Sequence, residues 1–392
     1  MLDNNDNLFS EFNATTKSQW LARIEKDLKG RRISELNDEL INPSHGAKHI
    51  IIDPFAHAED FNGHFLEPIT GENTANTWAI GEHIDIKKGD YKTANKQALK
   101  ALMGGVNAPH FIFDMYPTAP QLATLLNDIE LDYISIYFSE KSKNKNPLVF
   151  LKNFRQLALD KGKNPAILRG GISYDPFADG RREVQTTRDL LIWTKEHLPL
   201  FKVITIDGGK FFKGSENVIS ELAQTLKAGE NYLKRMTDAG IEISLIGERI
   251  QFYFHIDTYY FIEIAKIRAF KILWGNVLTA YNTPSVFSTI HAIIAPDSQG
   301  DDSHTNKIRA TTQAMSAVLG GVSSLIIAPS DVLSGENDDF NRRIARNIQH
   351  LLQLESYFDR VADPAAGSYY IEQLTTQIAE ASWVYFQEIV DK

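Results

Sequence analysis

Residues 204–214 read ITIDGGKFFKG. A β-branched run stops at Asp207 and gives way to Gly208, Gly209 and Lys210. A strand therefore ends where a ligand can approach the backbone closely, between a carboxylate and an ammonium. The same pattern extends in both directions from this stretch. Short β-rich runs occur at 78–86, 110–115, 133–139, 166–173, 202–208, 250–256, 288–294 and 323–329. Amphipathic stretches separate them, among them TAPQLATLLNDI (118–129), PLVFLKNFRQLALDKG (147–162) and TYYFIEIAKIRAFKILWGNVL (258–278). Several end in glycine, at Gly104–Gly105, Gly162, Gly240 and Gly320–Gly321, the left-handed stop expected before a following strand. Eight strands, each followed by a helix over about 280 residues, predict an α/β fold of the (β/α)8 TIM-barrel kind. The competing doubly wound sheet often carries a G-x-G-x-x-G turn after its first strand, and none occurs here.

The barrel is expected over 77–358. Residues 1–76 read as an N-terminal arm and lead-in, with a helix at 16–29 on which Trp20, Ile24 and Leu28 share a face, and one β-like run, HIIID, at 49–53. The arm has too little apolar content for a core of its own. Residues 359–392 read as a break at Pro364 and Gly367 followed by a last helix with Ile371, Leu374, Ile378 and Ala381 on one face.

Composition narrows the function classes. The 392 residues carry a net charge of −9, which argues against a nucleic-acid partner. There is no cysteine, so disulfides, iron–sulfur clusters and thiol catalysis are excluded. The acidic start MLDNNDNLFSEF is unlike a signal peptide, and the apolar runs fall short of the roughly 20 residues a membrane span needs. A cytoplasmic protein with no membrane partner is expected.

A barrel places its chemistry at the C-terminal ends of its strands. The polar residues read there are Glu82, His83, Asp85, Asp114, Ser139, Arg169, Ser173, Asp175, Asp207, Lys210, His255, Asp257, His291, Ser330 and Asp331. Asp207 with Lys210 could form an acid/base or Schiff-base pair, or only a turn with a surface lysine. HGAKH (45–49), with His57 and His64 nearby, has zinc-like spacing but lacks a general-base glutamate. GISYD (171–175) lacks the last glycine of a nucleophile elbow, so Ser173 reads as structural. The glycosylation-type match NAT at 13–15 has no secretory context. DSHTNK (302–307) departs from the cobalamin pattern Asp-x-His-x-x-Gly at Lys307, and it reads as a helix lead-in with Ser303 or Thr305 as cap.

Four segments carry a resemblance to one family. RIARNIQHLLQLESYFDRVADPAAGSYYIEQLT (343–375), FIEIAKIRAFKILWGNVL (261–278), DDSHTNKIRATTQAMSAVLGGVSSL (301–325) and WLARIEKDLKG (20–30) resemble the barrel and N-terminal helix of methylmalonyl-CoA mutases. The resemblance implies a barrel that acyl-CoA threads, adenosylcobalamin radical chemistry, and a separate C-terminal cobalamin domain expected beyond the last helix. It also implies heterodimers of a catalytic large subunit with a related small one. Where active members read T-I-R-Q-Y-A-G after the first-strand tryptophan, Trp78 is followed by Gly81 in the arginine position, Glu82 in the glutamine position and His83 in the tyrosine position. Where they read S-G-Y-H on the fifth strand, Gly209 takes the tyrosine position and Lys210 the histidine position. On the sixth strand Arg249 remains and Gln251 replaces serine, and Ala292 takes a glutamine position on the seventh.

The resemblance thus implies a scaffold kept and a pocket changed. The chain is expected to be the barrel part of a non-catalytic small subunit, inactive alone and binding no cofactor or metal itself, with adenosylcobalamin belonging to the assembly. Its expected partner is a related large subunit, and in isolation the same surface is expected to allow a homodimer. Arg249, Lys210 and His83 remain as candidate substrate contacts. Two other readings stay open: an active acyl-CoA mutase barrel that borrows cobalamin from a separate chain, and a cofactor-free CoA-ester binding module.

Overall fold

The computed structural model describes residues 13, 15–61, 75–142, 146–177, 183–283, 289–333 and 338–390. His64 and part of the 13–15 triplet lie outside them. The first helix, α1 (Lys17–Asp27), starts where the Thr16 hydroxyl accepts from the Gln19 N–H and the Gln19 side chain accepts from the Thr16 N–H. Strand β1 (Asp38–Leu40) pairs antiparallel with β2 (Ile50–Ile52). Only β2 shows in the sequence, because Asp38 and Glu39 give β1 no apolar signal.

Parallel strands follow: β3 (Ala79–Asp85), β4 (Ala108–Phe113), β5 (Ser135–Glu140), β6 (Arg169–Ser173), β7 (Phe201–Lys202), β8 (Ile204–Asp207), β9 (Ile250–Ile256), β10 (Thr289–Ile294) and β11 (Ser324–Ile326). Their order is β7-β6-β5-β4-β3-β11-β10-β9-β8. The two ends of that order are consecutive in the chain, separated only by Val203. The Val203 N–H donates to the Arg249 carbonyl at 3.0 Å, and the Thr205 N–H donates to the Tyr174 carbonyl at 3.0 Å. The segment 201–207 is therefore one strand that bonds β6 on one side and β9 on the other. It closes the sheet into the expected eight-stranded barrel.

Helices α2 (Tyr91–Met103), α3 (Ala119–Leu125), α4 (Pro147–Asp160), α5 (Val184–His197), α6 (Val218–Asp238), α8 (Tyr260–Ala280), α9 (Ser303–Gly320) and α10 (Asp339–Leu354) follow the strands in turn. A short extra helix, α7 (Ile243–Arg249), leads into β9, and α11 (Tyr369–Val390) packs on α6 and α8. At seven residues α7 is too short to show a period. Helix α9 is capped by Asp302, whose carboxylate accepts from the His304 and Thr305 N–H groups, and the expected caps Ser303 and Thr305 fall inside the helix. Among the described residues no helix is long and apolar enough to cross a membrane.

Alternation along the strands divides the barrel wall. Phe111, Phe113 and Phe138 point out; Phe111 and Phe113 stack on Phe138, Phe113 packs on Phe150 of α4, and Phe138 packs on Phe150 and Phe154. Polar residues occupy much of the inner face. The wall is tightest between β5 and β6. A Cβ on Gly170, whose φ is +141°, would stand 1.8 Å from the Ile136 carbonyl oxygen. Gly170→Ala is expected to cost about 3 kcal/mol or more. Urea unfolding measures it, and a cost below about 1 kcal/mol would mean these strands do not pair as described.

Two buried ion clusters hold the helical layer. Arg268 on α8 pairs with Glu372 on α11 at 3.0 Å and with Asp363 in the connecting segment. Lys266, two residues earlier, lies 2.6 Å from Glu263 and 3.4 Å from Glu221 of α6, and donates to the His255 carbonyl. Two carboxylates share one ammonium, and Glu263, the closer, also accepts the Ser215 hydroxyl at 2.7 Å. Burial therefore pushes Glu221 up to about 8. A carboxyl whose folded pKa is raised loses stability as pH rises from its unfolded value to its folded one. The protein should become less stable from about pH 6.5 to about pH 8, and Glu221→Gln should flatten that slope. Denaturation midpoints across this range for both forms are the check.

Candidate functional site

A cavity of about 290 Å3 opens at the C-terminal ends of the strands. Its lining includes His83, His110, Ser139, Ser173, Thr205, Asp207, Lys210, Tyr253 and His255. Two of the three candidate contacts, His83 and Lys210, are thus brought together. Arg249 is not: it immediately precedes β9, at the opposite end of the barrel, beside Glu248 at 3.4 Å. Its place was legible, since it precedes the run IQFYFHI that His255 nearly ends.

Three other residues read at the catalytic end are elsewhere. Glu82 points outward and takes Arg346 at 2.6 Å and Arg342 at 3.2 Å, both on α10. It alternates with His83, so only one of the two can face inward. Arg169 opens β6 and lines a separate recess of about 320 Å3 at the N-terminal end. His291 lies in the middle of β10, fully buried.

Lys210 donates to Asp175 at 3.2 Å, and Asp175 also accepts the Tyr232 hydroxyl at 2.6 Å. Asp207 accepts the Gly209 N–H at 3.1 Å, an Asx turn that fixes the glycine pair. Lys210 therefore holds an ion pair with Asp175 and makes none with Asp207. A Cβ on Gly209 would stand 2.7 Å from the His255 ring, and one on Gly81 would stand 2.6 Å from Ile326. Neighbours have filled the space at both positions.

Below the cavity the axis is crossed. His110 on β4 and Tyr253 on β9 lie on opposite sides of the barrel, with ring centroids 6.0 Å apart. Tyr137 on β5 and His291 on β10 are likewise opposite, at 4.8 Å. Tyr253 stacks on His291 at 4.5 Å, which joins the two crossings into one layer. Hydrogen bonds fix it. His291 Nδ1 meets the Ser324 hydroxyl at 2.6 Å and Nε2 meets Gln251 Oε1 at 3.1 Å, while Gln251 Nε2 donates to Thr205 at 2.8 Å. His110 Nε2 meets Ser139, which donates to Ser173 at 2.7 Å. Ser173, read as structural, belongs to this chain and also lines the cavity.

Burial pushes His83 down to about 4, His291 to about 3 and His110 well below its usual value. These imidazoles are neutral at pH 7. Among the described residues no group of three or more His, Asp or Glu side chains could hold a metal. His49 pairs with Glu39, and His57 accepts the Glu59 N–H at a turn. A buried histidine with a lowered pKa loses stability as pH falls from its unfolded value toward the folded one. The protein should therefore weaken between about pH 6.5 and pH 4, and the ring resonances of His83 and His291 should not titrate above about pH 5. Nuclear magnetic resonance through that range tests it.

The family model described as methylmalonyl-CoA mutase matches residues 117–392. The methylmalonyl-CoA mutase small subunit of Porphyromonas gingivalis is 32% identical over all of this chain, and that of Streptomyces virginiae is 26% identical over 99% of it. The chain spans 65% of the length of each. The large subunit of P. gingivalis is 32% identical over 51% of this chain and 29% of its own length. Dihydropteroate synthase from Stenotrophomonas maltophilia, with bound imidazole, aligns over 71% of this chain and 94% of its own at 12% identity, with a TM-score of 0.40, too slight to bear on function.

Proposed function

Because this chain belongs to the methylmalonyl-CoA mutase family, with small subunits matching along its whole length, we propose that it acts as the barrel of a non-catalytic small subunit. Its partner is a related large subunit, which carries out the conversion. The observation that carries this reading is the aromatic layer. A substrate threaded along the barrel needs a continuous path, and the Tyr137–His291 and His110–Tyr253 contacts occupy it. The filled space at Gly81 and Gly209 supports the same reading, since neighbouring side chains now occupy the room that larger family residues would need. A CoA ester held by Arg249 and Lys210 together is disfavoured for the same reason: the layer lies between them.

The residues present do not fit adenosylcobalamin. The nearest match to a ligating histidine, His304, stands in the first turn of α9. The Asp302 carboxylate beside it is committed to capping that helix. A cobalamin-binding loop needs its histidine on a free segment, and this one is fixed in a capped helix turn.

Mixed with a large subunit of its family, the chain should elute as a stable heterodimer in gel filtration. Alone it should show no methylmalonyl-CoA turnover when adenosylcobalamin is supplied. Turnover by the isolated chain, or failure to pair with any large subunit, would overturn the proposal. Tyr253→Ala should cost about 3 kcal/mol by opening a cavity in the layer, and should leave the chain inactive. Chemical denaturation and the mutase assay measure the two effects.

A further inference from the structure

The cavity at the mouth of the barrel has a chemistry that the proposed assembly role does not use. Three of its lining groups lack a hydrogen bond among the described residues: the Tyr253 hydroxyl and the His83 and His255 rings. Tyr253 is only 5% exposed and lines the cavity, where its hydroxyl is left for a molecule inside to bond. A buried phenol with no protein partner is costly unless something in the cavity completes it.

Charge narrows what that is. The lining carries the carboxylates Glu140, Asp175 and Asp207 against one ammonium, Lys210. Asp175 is committed to Lys210 and Tyr232, and Glu140 accepts the Tyr116 N–H at 3.3 Å. Asp207 uses one oxygen for the Gly209 N–H, and its other oxygen makes no hydrogen bond among the described residues. The buried imidazoles are neutral and add no positive charge. An anion such as an acyl carboxylate would therefore meet a net negative wall. An ammonium group would meet the Asp207 carboxylate and, on the paired strand beside it, the Tyr253 hydroxyl, a charge partner and a hydrogen-bond acceptor together. The volume, about 290 Å3, equals about ten waters and suits a short molecule.

We propose that this cavity binds a small organic cation, an ammonium on a short polar frame, recognised by the Asp207 carboxylate and the Tyr253 hydroxyl beside the His255 ring. Binding is independent of assembly with a large subunit, so either proposal can fail while the other stands.

Isothermal titration of the full chain with ethanolamine, choline and putrescine tests it, with glycerol and succinate as the neutral and anionic arms. At least one amine should bind saturably, more weakly as salt rises. Asp207→Asn, which removes the charge, and Tyr253→Phe, which removes the hydroxyl, should each weaken that binding about tenfold or more. Both variants should keep the far-ultraviolet spectrum of the parent. The proposal is overturned if no amine binds, if binding survives both substitutions, or if glycerol or succinate binds as tightly as the amines.

Discussion

The contact on which the interior depends is the meeting of rings across the barrel axis. A parallel eight-stranded barrel must fill its centre with side chains or leave a channel. Here His110, Tyr137, Tyr253 and His291 do the filling, and each polar atom they bring inward raises a question of partners. Ser139, Ser324 and Gln251 answer most of it. Among the described residues, His110 Nδ1, a buried atom with no hydrogen bond, and the Tyr253 hydroxyl are left without a partner. Neutral histidines suit this role: they are flat enough to stack, they can donate and accept at once, and burial keeps them uncharged. Gly171 belongs to the same arrangement, because a Cβ there would stand 2.8 Å from the Gln251 amide.

The outer shell works on a different principle. Between strands and helices the packing is aromatic and aliphatic, as in Phe252 against Phe270 and Trp274. Ions enter in closed sets, among them Arg268 with Asp363 and Glu372, and Lys266 with Glu221 and Glu263. Such sets add little net stability, but losing one member strands the others without solvent. They tie α8 to α6 and α11, so the last helix is anchored to the barrel by charge as well as by apolar contact.

The sequence made the barrel legible because its strands are apolar on the helix-facing side and end in turn residues. The run at 250–256 coincides with β9 residue for residue. What it left hidden depended on neighbours. The break at Val203 follows from which strand lies on each side, and nothing local encodes that. The inward direction of His83 against the outward direction of Glu82 needed only the parity of the strand, but parity must be anchored by one known residue. Lys210 was legible as a site residue, though its carboxylate is Asp175, 35 positions earlier, and not the adjacent Asp207. The ring layer draws Tyr137 and Tyr253 from the β-rich runs at 133–139 and 250–256. Its crossings pair strands far apart in sequence, beyond the reach of periodicity.

The layer also divides the barrel into two blind vestibules. The recess on the N-terminal side, lined by Arg169, Asn107 and Ser135, shares none of its lining residues with the mouth cavity. Substitutions can thus accumulate in one vestibule with no steric effect on the other. A barrel partitioned in this way can change what it accepts at one end while the other end stays as it was.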